Sequence, residues 1–302
     1  MSTPDRIPAE VRELPLRART DYLLRRFGLT PRKPLGQNFL VNEGAARRLA
    51  DVAAAPGLPL FEIGGGLGAL SVPLAATGLP LRIVEIDANL ARTLAWLLAD
   101  LPHVQVLTAD FLTLPAAEWP AAPAVAIGNL PYFSAGAILQ RLWAEDSPFS
   151  LTIATVQREV ADRLRSQPGV KAYGPLSLLA AAHVTKFEVL AQLGPGSFFP
   201  EPGVESTALA LTRREGLPPG LSAFAALDAA IRAAFAERRK TLLNSLKMTQ
   251  KLDKAEAEAV LREANLDGKR RGETLSLAEF IALAEALRRR SDPEHGNDEG
   301  IH

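Results

Sequence analysis

The chain has 302 residues, 47% hydrophobic and 23% charged, which supports a globular protein of one large or two smaller domains and excludes a disordered chain. It has no cysteine, so disulfides, thiolate nucleophiles and cysteine metal sites are excluded, and its four histidines lack ligand spacing, so no metal is expected. The formal net charge is zero, but residues 1–50 carry +5, residues 51–130 carry −5 and residues 231–247 carry +4, so the charge is separated rather than absent.

The first ten or so residues are polar and proline-containing and are expected to be mobile. LRARTDYLLRRF predicts a helix over 16–27 that Gly28 can stop. RKPLGQNFL at 32–40 has no clean period, and Asn42 is a plausible cap for a helix over 43–54. From Pro59 the pattern changes to short apolar runs, LPLFEIGGG, LRIVEID, VQVLTAD and PAVAIGNLP, with helical stretches between them. Such alternation predicts a parallel sheet covered on both faces. LTIATVQREV at 151–160 reads as a fifth strand running into a helix. HVTKFEVLAQL at 183–193 and STALALTR at 206–213 read as later strands, more alternating and suited to antiparallel pairing. GLPPG at 216–220 is a linker, followed by helices over 221–236, 238–247, 253–264 and 276–290 and a polar tail. The expected domains are an N-terminal extension over 1–29, an α/β domain over 30–214, a helical domain over 219–290 and a disordered tail over 291–302. No long apolar run and no leader-like segment occurs, so a cytoplasmic, non-membrane protein is expected.

FEIGGGLGALS at 61–71 places glycines at 64, 65, 66 and 68 between a strand and a helix, where backbone can approach a ligand closely. Alone this is a weak signal. Its surroundings add Glu85 at the end of the second strand, Asp110 at the end of the third and Asn129 at the end of the fourth. Carboxylates flanking a phosphate would repel it, so a cationic nucleoside such as S-adenosylmethionine suits this edge better than a dinucleotide. Glu85 is assigned to the ribose hydroxyls and Asp110 to the adenine amine, with Ile86 and Phe111 as apolar neighbours. Glu62 is read as orienting the loop, and Asp87 as a helix N-cap.

Asn129–Leu130–Pro131–Tyr132 follows the fourth strand. The exocyclic amine of adenine is a poor nucleophile because its lone pair is delocalised. The Asn129 oxygen and a nearby main-chain carbonyl can accept its two hydrogens and stabilise the positive charge that grows on the nitrogen as it attacks a methyl group. Tyr132 offers a ring face for the base. In GSFFPEPG at 196–203 one of two adjacent rings belongs to the core and the other to the substrate, and Phe198 is assigned to the substrate.

Together these segments resemble the ribosomal RNA adenine dimethyltransferase family. RKPLGQNFL, FEIGGGLGALS, VEID, LTADFL, IGNLPYFS, VQREVADRL with KAYGPLSLLA, GSFFPEPGVESTALAL, AFAERRKTLLNSLK and KRRGETLSLAEF carry the resemblance in order, over about 30–285. It implies a Rossmann-like class I S-adenosylmethionine-dependent methyltransferase domain with a small C-terminal all-helical domain. It also implies transfer of two methyl groups to N6 of each of two adjacent adenosines near the 3′ end of 16S rRNA, within the immature small ribosomal subunit, by a monomer that releases S-adenosylhomocysteine. Cofactor contacts would fall on Gln37, Asn38, Leu40, Gly64, Glu85, Ile86, Asp110 and Asn129, with Gly66 and Phe111 beside them. Target-base contacts would fall on Asn129, Leu130, Tyr132 and Phe198.

Gly65 stands where the family usually has proline, Glu205 where it has aspartate, and Gly272 interrupts a usual Arg-Ala-Glu. Phosphate contacts are expected from Arg238, Arg239 and Lys240 with Arg232 and Lys247 nearby, from Arg32 and Lys33 at the substrate end, and from Arg158 in the middle region. Two rival readings are a macrolide-resistance type methyltransferase acting on 23S rRNA and a non-catalytic assembly factor on the same fold.

Overall fold

The structure, a computed structural model, describes residues 7–32, 36–237 and 239–291. The N-terminal part runs α1 (Pro8–Arg12), α2 (Leu16–Arg26), β1 (Phe39–Leu40), α3 (Glu43–Ala54), β2 (Leu60–Ile63) and α4 (Ser71–Ala75). It continues through β3 (Leu81–Glu85), α5 (Ala88–Leu97), β4 (Val104–Thr108), β5 (Ala124–Asn129), α6 (Ala135–Leu142), β6 (Phe149–Gln157) and α7 (Arg158–Leu164). Then come α8 (Pro175–His183), β7 (Val184–Leu193), β8 (Phe198–Phe199) and β9 (Ser206–Arg213). The chain closes with α9 (Phe224–Phe235), α10 (Leu242–Thr249), α11 (Lys254–Glu263) and α12 (Leu277–Ser291). Of the expected tail over 291–302, Ser291 ends α12 and 292–302 lie outside the described residues.

Two compact units result. One holds the chain through Ala161 together with Thr185–Arg213, and the other holds Asp162–Val184 together with the described residues from Arg214 onward. In the first, a seven-stranded sheet has the order β4-β3-β2-β5-β6-β9-β7. Strands β4, β3, β2, β5 and β6 pair in parallel, and β9 pairs antiparallel to β6. The first five residues of β5 and all of β2 are buried, as continuous apolar runs in a covered parallel sheet require. Because β2 lies between β3 and β5, the sheet winds in opposite directions from β2. The carboxyl ends of these three strands therefore form the crevice where open α/β sheets bind ligands. A second, two-stranded sheet pairs β1 with β8, Phe39 opposite Phe199 and Leu40 opposite Phe198.

The caps read from sequence are present. Asn42 accepts a hydrogen bond from the Ala45 N–H at 3.0 Å, and Asp87 accepts one from the Asn89 N–H at 2.9 Å. Three features differ from the sequence reading. A short helix begins at Pro8, where proline's fixed φ suits a first helical turn, and it buries Val11 completely. The helix expected after the glycine loop shortens to five residues. Residues 162–184, read as part of the α/β half, lie in the second unit, where α8 contacts α9 and α12 and the Tyr173 hydroxyl donates to the Leu275 carbonyl at 2.7 Å. Gly272 is explained there: a Cβ at this position would stand 2.8 Å from the Ala234 carbonyl oxygen, so the usual alanine does not fit against this α9.

Candidate active site

The glycine loop leaves β2 with Gly64 at φ +73° and Gly66 at φ +55°, left-handed conformations that glycine adopts without strain. Gly65 is chosen for a different reason. Its φ is ordinary, but a Cβ there would lie 2.6 Å from Ile83 Cγ2 and 2.7 Å from Leu94 Cδ1. These neighbours occupy the space that a proline ring needs. Gly65→Pro, which restores the usual residue, is therefore expected to destabilise the protein by about 1–3 kcal/mol through overpacking. Thermal unfolding measures this, and Ile83→Ala in the same chain should recover part of the loss.

Glu85 ends β3, is 5% exposed, and accepts the Gly66 N–H through Oε2 and the Asp87 N–H through Oε1, each at 2.9 Å. Burial raises its carboxyl above the ordinary range, and these backbone donors pull it back. Both oxygens retain acceptor capacity for a diol. Glu62, within β2, is fully buried. Burial pushes it up to about 8, Ser71 opposes that shift and the charge of Glu85 reinforces it. It is thus a protonated acid beneath the loop at neutral pH.

That protonation has a measurable consequence. The unfolded carboxyl ionises above about 4.5, whereas the folded one holds its proton to about 8. Between those values the folded state binds more protons, so the Glu62 contribution to stability is greatest below the lower value and falls as pH rises to the upper one. Glu62→Gln should remove this slope, a difference on the order of a few kcal/mol at pH 8. Melting temperatures from acid to mildly alkaline pH test it; parallel wild-type and variant curves would contradict it.

Arg32 and Gln37, ahead of β1, meet Asp87 just beyond the end of β3. Arg32 pairs with Asp87 at 3.3 Å, the Gln37 amide donates to Asp87 at 3.5 Å, and Gln37 Oε1 accepts the Arg32 N–H at 2.7 Å. Asn129 ends β5, and its Nδ2 donates to the Asn38 carbonyl at 2.8 Å. With the amide nitrogen engaged there, Oδ1 is the end left to accept from a ligand. The Tyr132 hydroxyl shares a hydrogen bond with the Ser206 hydroxyl at 3.0 Å, and its ring is half-buried.

One cleft is lined by Gln37, Asn38, Gly64, Gly66, Glu85, Ile86, Asn129, Leu130 and Tyr132, which gathers nine of the residues singled out from sequence. Ile86 is 58% exposed and presents an apolar face to it. Leu40, Asp110, Phe111 and Phe198 do not line this cleft. Asp110 accepts the Leu112 N–H at 2.9 Å and shapes the turn after β4. Phe111 is buried against Phe61, with ring centroids 6.0 Å apart, and against Trp119.

The assignment of Phe198 to substrate requires correction. It is 1% exposed and belongs to the core with Leu40, its partner across β1–β8. Alternation along a strand then turns Phe199 to the other face, half-buried, with the Arg17 guanidinium 4.4 Å over its ring.

Among the expected phosphate contacts, Lys33 and Arg238 lie outside the described residues. Arg32 is held by Asp87, and Arg158 pairs with Glu205 at 2.7 Å, which gives the departing Glu205 a partner. Arg232, Arg239 and Lys240 are exposed, and Lys247 is half-buried. Two further cations, Lys269 and Arg271, which the sequence reading did not single out, are exposed. The Leu242 N–H donates to the Arg270 carbonyl at 2.8 Å and the Leu243 N–H to the Gly268 carbonyl at 3.1 Å, which lays this loop alongside 241–243. Lys269 and Arg271 are exposed, as are Arg239 and Lys240, while Arg270 turns to Glu279. The KRR run at 269–271 was the available signal.

The family described as ribosomal RNA adenine dimethylase matches residues 28–283. The chain belongs to the ribosomal RNA adenine dimethylase family. It is 37% identical over 279 residues to the ribosomal RNA small subunit methyltransferase A of Geobacillus thermodenitrificans, covering 89% of this chain and 95% of that one. Its identity to the protein of the same description from Myxococcus xanthus is 38% over 268 residues, covering 88% and 94%. Among solved structures, the 23S rRNA methyltransferase ErmE superposes with a TM-score of 0.58 at 26% identity, over 83% of this chain and all of that one. A dimethyladenosine transferase from Plasmodium falciparum superposes with a TM-score of 0.67 at 20% identity, over 84% and 98%, and speaks for the fold.

The first unit of this dimethylase-family chain therefore has the fold of S-adenosylmethionine-dependent methyltransferases. The cleft fits that cofactor: a carboxylate whose two oxygens are fixed by backbone donors, a loop without Cβ atoms at its closest approach, and an exposed apolar Ile86 beside them. Among the described residues no helix is long and apolar enough to cross a membrane.

Proposed function

We propose that the protein methylates N6 of two adjacent adenosines near the 3′ end of 16S rRNA, giving N6,N6-dimethyladenosines, during late assembly of the small ribosomal subunit. The observation that carries the chemistry is the convergence of Glu85, the glycine loop, Asn129 and Tyr132 on one cleft at the sheet's switch point. The substrate choice is supported by likeness to small-subunit enzymes over nearly their whole length.

S-adenosylmethionine supplies an electrophilic methyl group. Glu85 accepts the ribose hydroxyls, and Ile86 offers its exposed face to the nucleoside. Asn129 Oδ1 and the Leu130 main-chain carbonyl accept the two amine hydrogens of adenine and stabilise the charge growing on N6, the Pro131 carbonyl being taken by the Ser134 and Ala135 N–H groups. Asn38 orients that amide through its carbonyl. Tyr132, tethered to Ser206, supplies a ring face that sets the base in line. The exposed Arg239, Lys240, Lys269 and Arg271 serve phosphate contact, which positions RNA without reading sequence.

The test uses labelled S-adenosylmethionine with undermethylated small subunits, followed by mapping of the modified nucleotides. Label on two adjacent adenosines near the 16S 3′ end is expected. Label confined to 23S rRNA would favour the activity named for ErmE, and no label on any subunit would leave a non-catalytic assembly role.

A further inference from the structure

We propose that Phe133 is a stacking platform for the RNA base next to the target adenine, which makes it a substrate-positioning residue; this rests on the RNA methyl transfer proposed above. Phe133 is 72% exposed, the most exposed large hydrophobic among the described residues, and none of the others in that group is aromatic. Its backbone is fixed. The Ser134 and Ala135 N–H groups both donate to the Pro131 carbonyl, at 3.1 and 3.0 Å, which closes the turn into α6. The ring is thus presented from a rigid turn rather than from a loose loop.

Two residues that line the cleft adjoin it. Tyr132 precedes it in the chain, and Gly36 lies so close that a Cβ there would meet the Phe133 ring at 3.6 and 3.7 Å. The platform is therefore continuous with the cleft mouth. Phe133 directly follows Tyr132, with consecutive Cα atoms about 3.8 Å apart, so its ring stands at the side of the cleft from which the covalently attached neighbour of a seated base would emerge. That neighbour must lie at this mouth whenever the reaction occurs, which favours a nucleobase over a protein side chain as the occupant. In the proposed substrate it is itself an adenine, with a broad π face. An exposed ring on a fixed turn stacks such a base with little ordering cost of its own.

The experiment compares wild-type protein with Phe133→Ala, Phe133→Leu and Phe133→Trp on undermethylated small subunits, with S-adenosylmethionine binding measured separately. Phe133→Ala is expected to raise KM for the subunit on the order of tenfold, with unchanged cofactor affinity. Phe133→Trp should restore wild-type behaviour, and Phe133→Leu should not. Wild-type KM in the alanine variant, or full rescue by leucine, would overturn stacking while methyl transfer by the wild type stands. Absence of transfer by the wild type would overturn both readings.

Discussion

Asn129→Ala is expected to lower kcat for methyl transfer by about 10²–10³-fold, the range typical for removal of one preorganised polar group at a site of developing charge. The physical reason begins with a strand. Residues 124–128 of β5 are wholly buried, so its end is held rigidly between β2 and β6. Gly128 makes this close approach possible, since a Cβ there would stand 2.6 Å from the Ile63 carbonyl oxygen. At the end of that rigid strand, the Asn38 carbonyl engages the Asn129 Nδ2 at 2.8 Å and commits Oδ1 to the acceptor role. In the proposed mechanism, alanine removes the acceptor that binds the amine hydrogens more tightly as nitrogen becomes positive. Phosphate contacts are untouched. Single-turnover transfer together with subunit binding checks this: transfer should fall while affinity stays within a few-fold. Transfer at the wild-type rate would overturn the assigned mechanism.

Glu85→Ala should weaken cofactor binding by about 10–100-fold, the equivalent of losing one or two hydrogen bonds to a charged acceptor. The carboxylate has two duties. In the proposed reading it accepts the ribose hydroxyls, and through the Gly66 and Asp87 N–H groups it ties the glycine loop to the end of β3. Removing it costs direct contacts and loosens the loop that must approach the ligand. Equilibrium binding of S-adenosylhomocysteine measures the loss directly. The rise in melting temperature on adding ligand should shrink accordingly, because that rise reports affinity for the folded state. A ligand-induced shift equal to the wild type would contradict the assignment.

Much of this site is legible in the amino-acid sequence. Strand ends, the glycine turn and NLPY are local patterns, and each places a functional residue at a strand terminus by chain order alone. The cap at Asp87 is legible for the same reason. What is not legible depends on partners distant in sequence. Phe198 and Phe199 are indistinguishable as letters; the pairing of β8 with β1 decides which ring is buried. Arg32 and Arg158 read as phosphate contacts, and only the fold shows that Asp87 and Glu205 stand beside them. Lys269 and Arg271 gain their meaning from backbone bonds to a segment about 27 residues earlier. The same holds for Gly65, whose close neighbours Ile83 and Leu94 are distant in sequence.

The zero net charge follows the same division. The sequence by itself determined that an acidic cofactor half is set against basic segments, because charge along a chain is counted without coordinates. It also determined the alternating fold and the family, since periodicity and ordered motifs are properties of the chain. Only the tertiary structure decided which charges are paired within the protein and which stand exposed at its surface. Ion pairing, burial and strand register act over a few ångströms between residues tens of positions apart, and the order of letters does not record those distances.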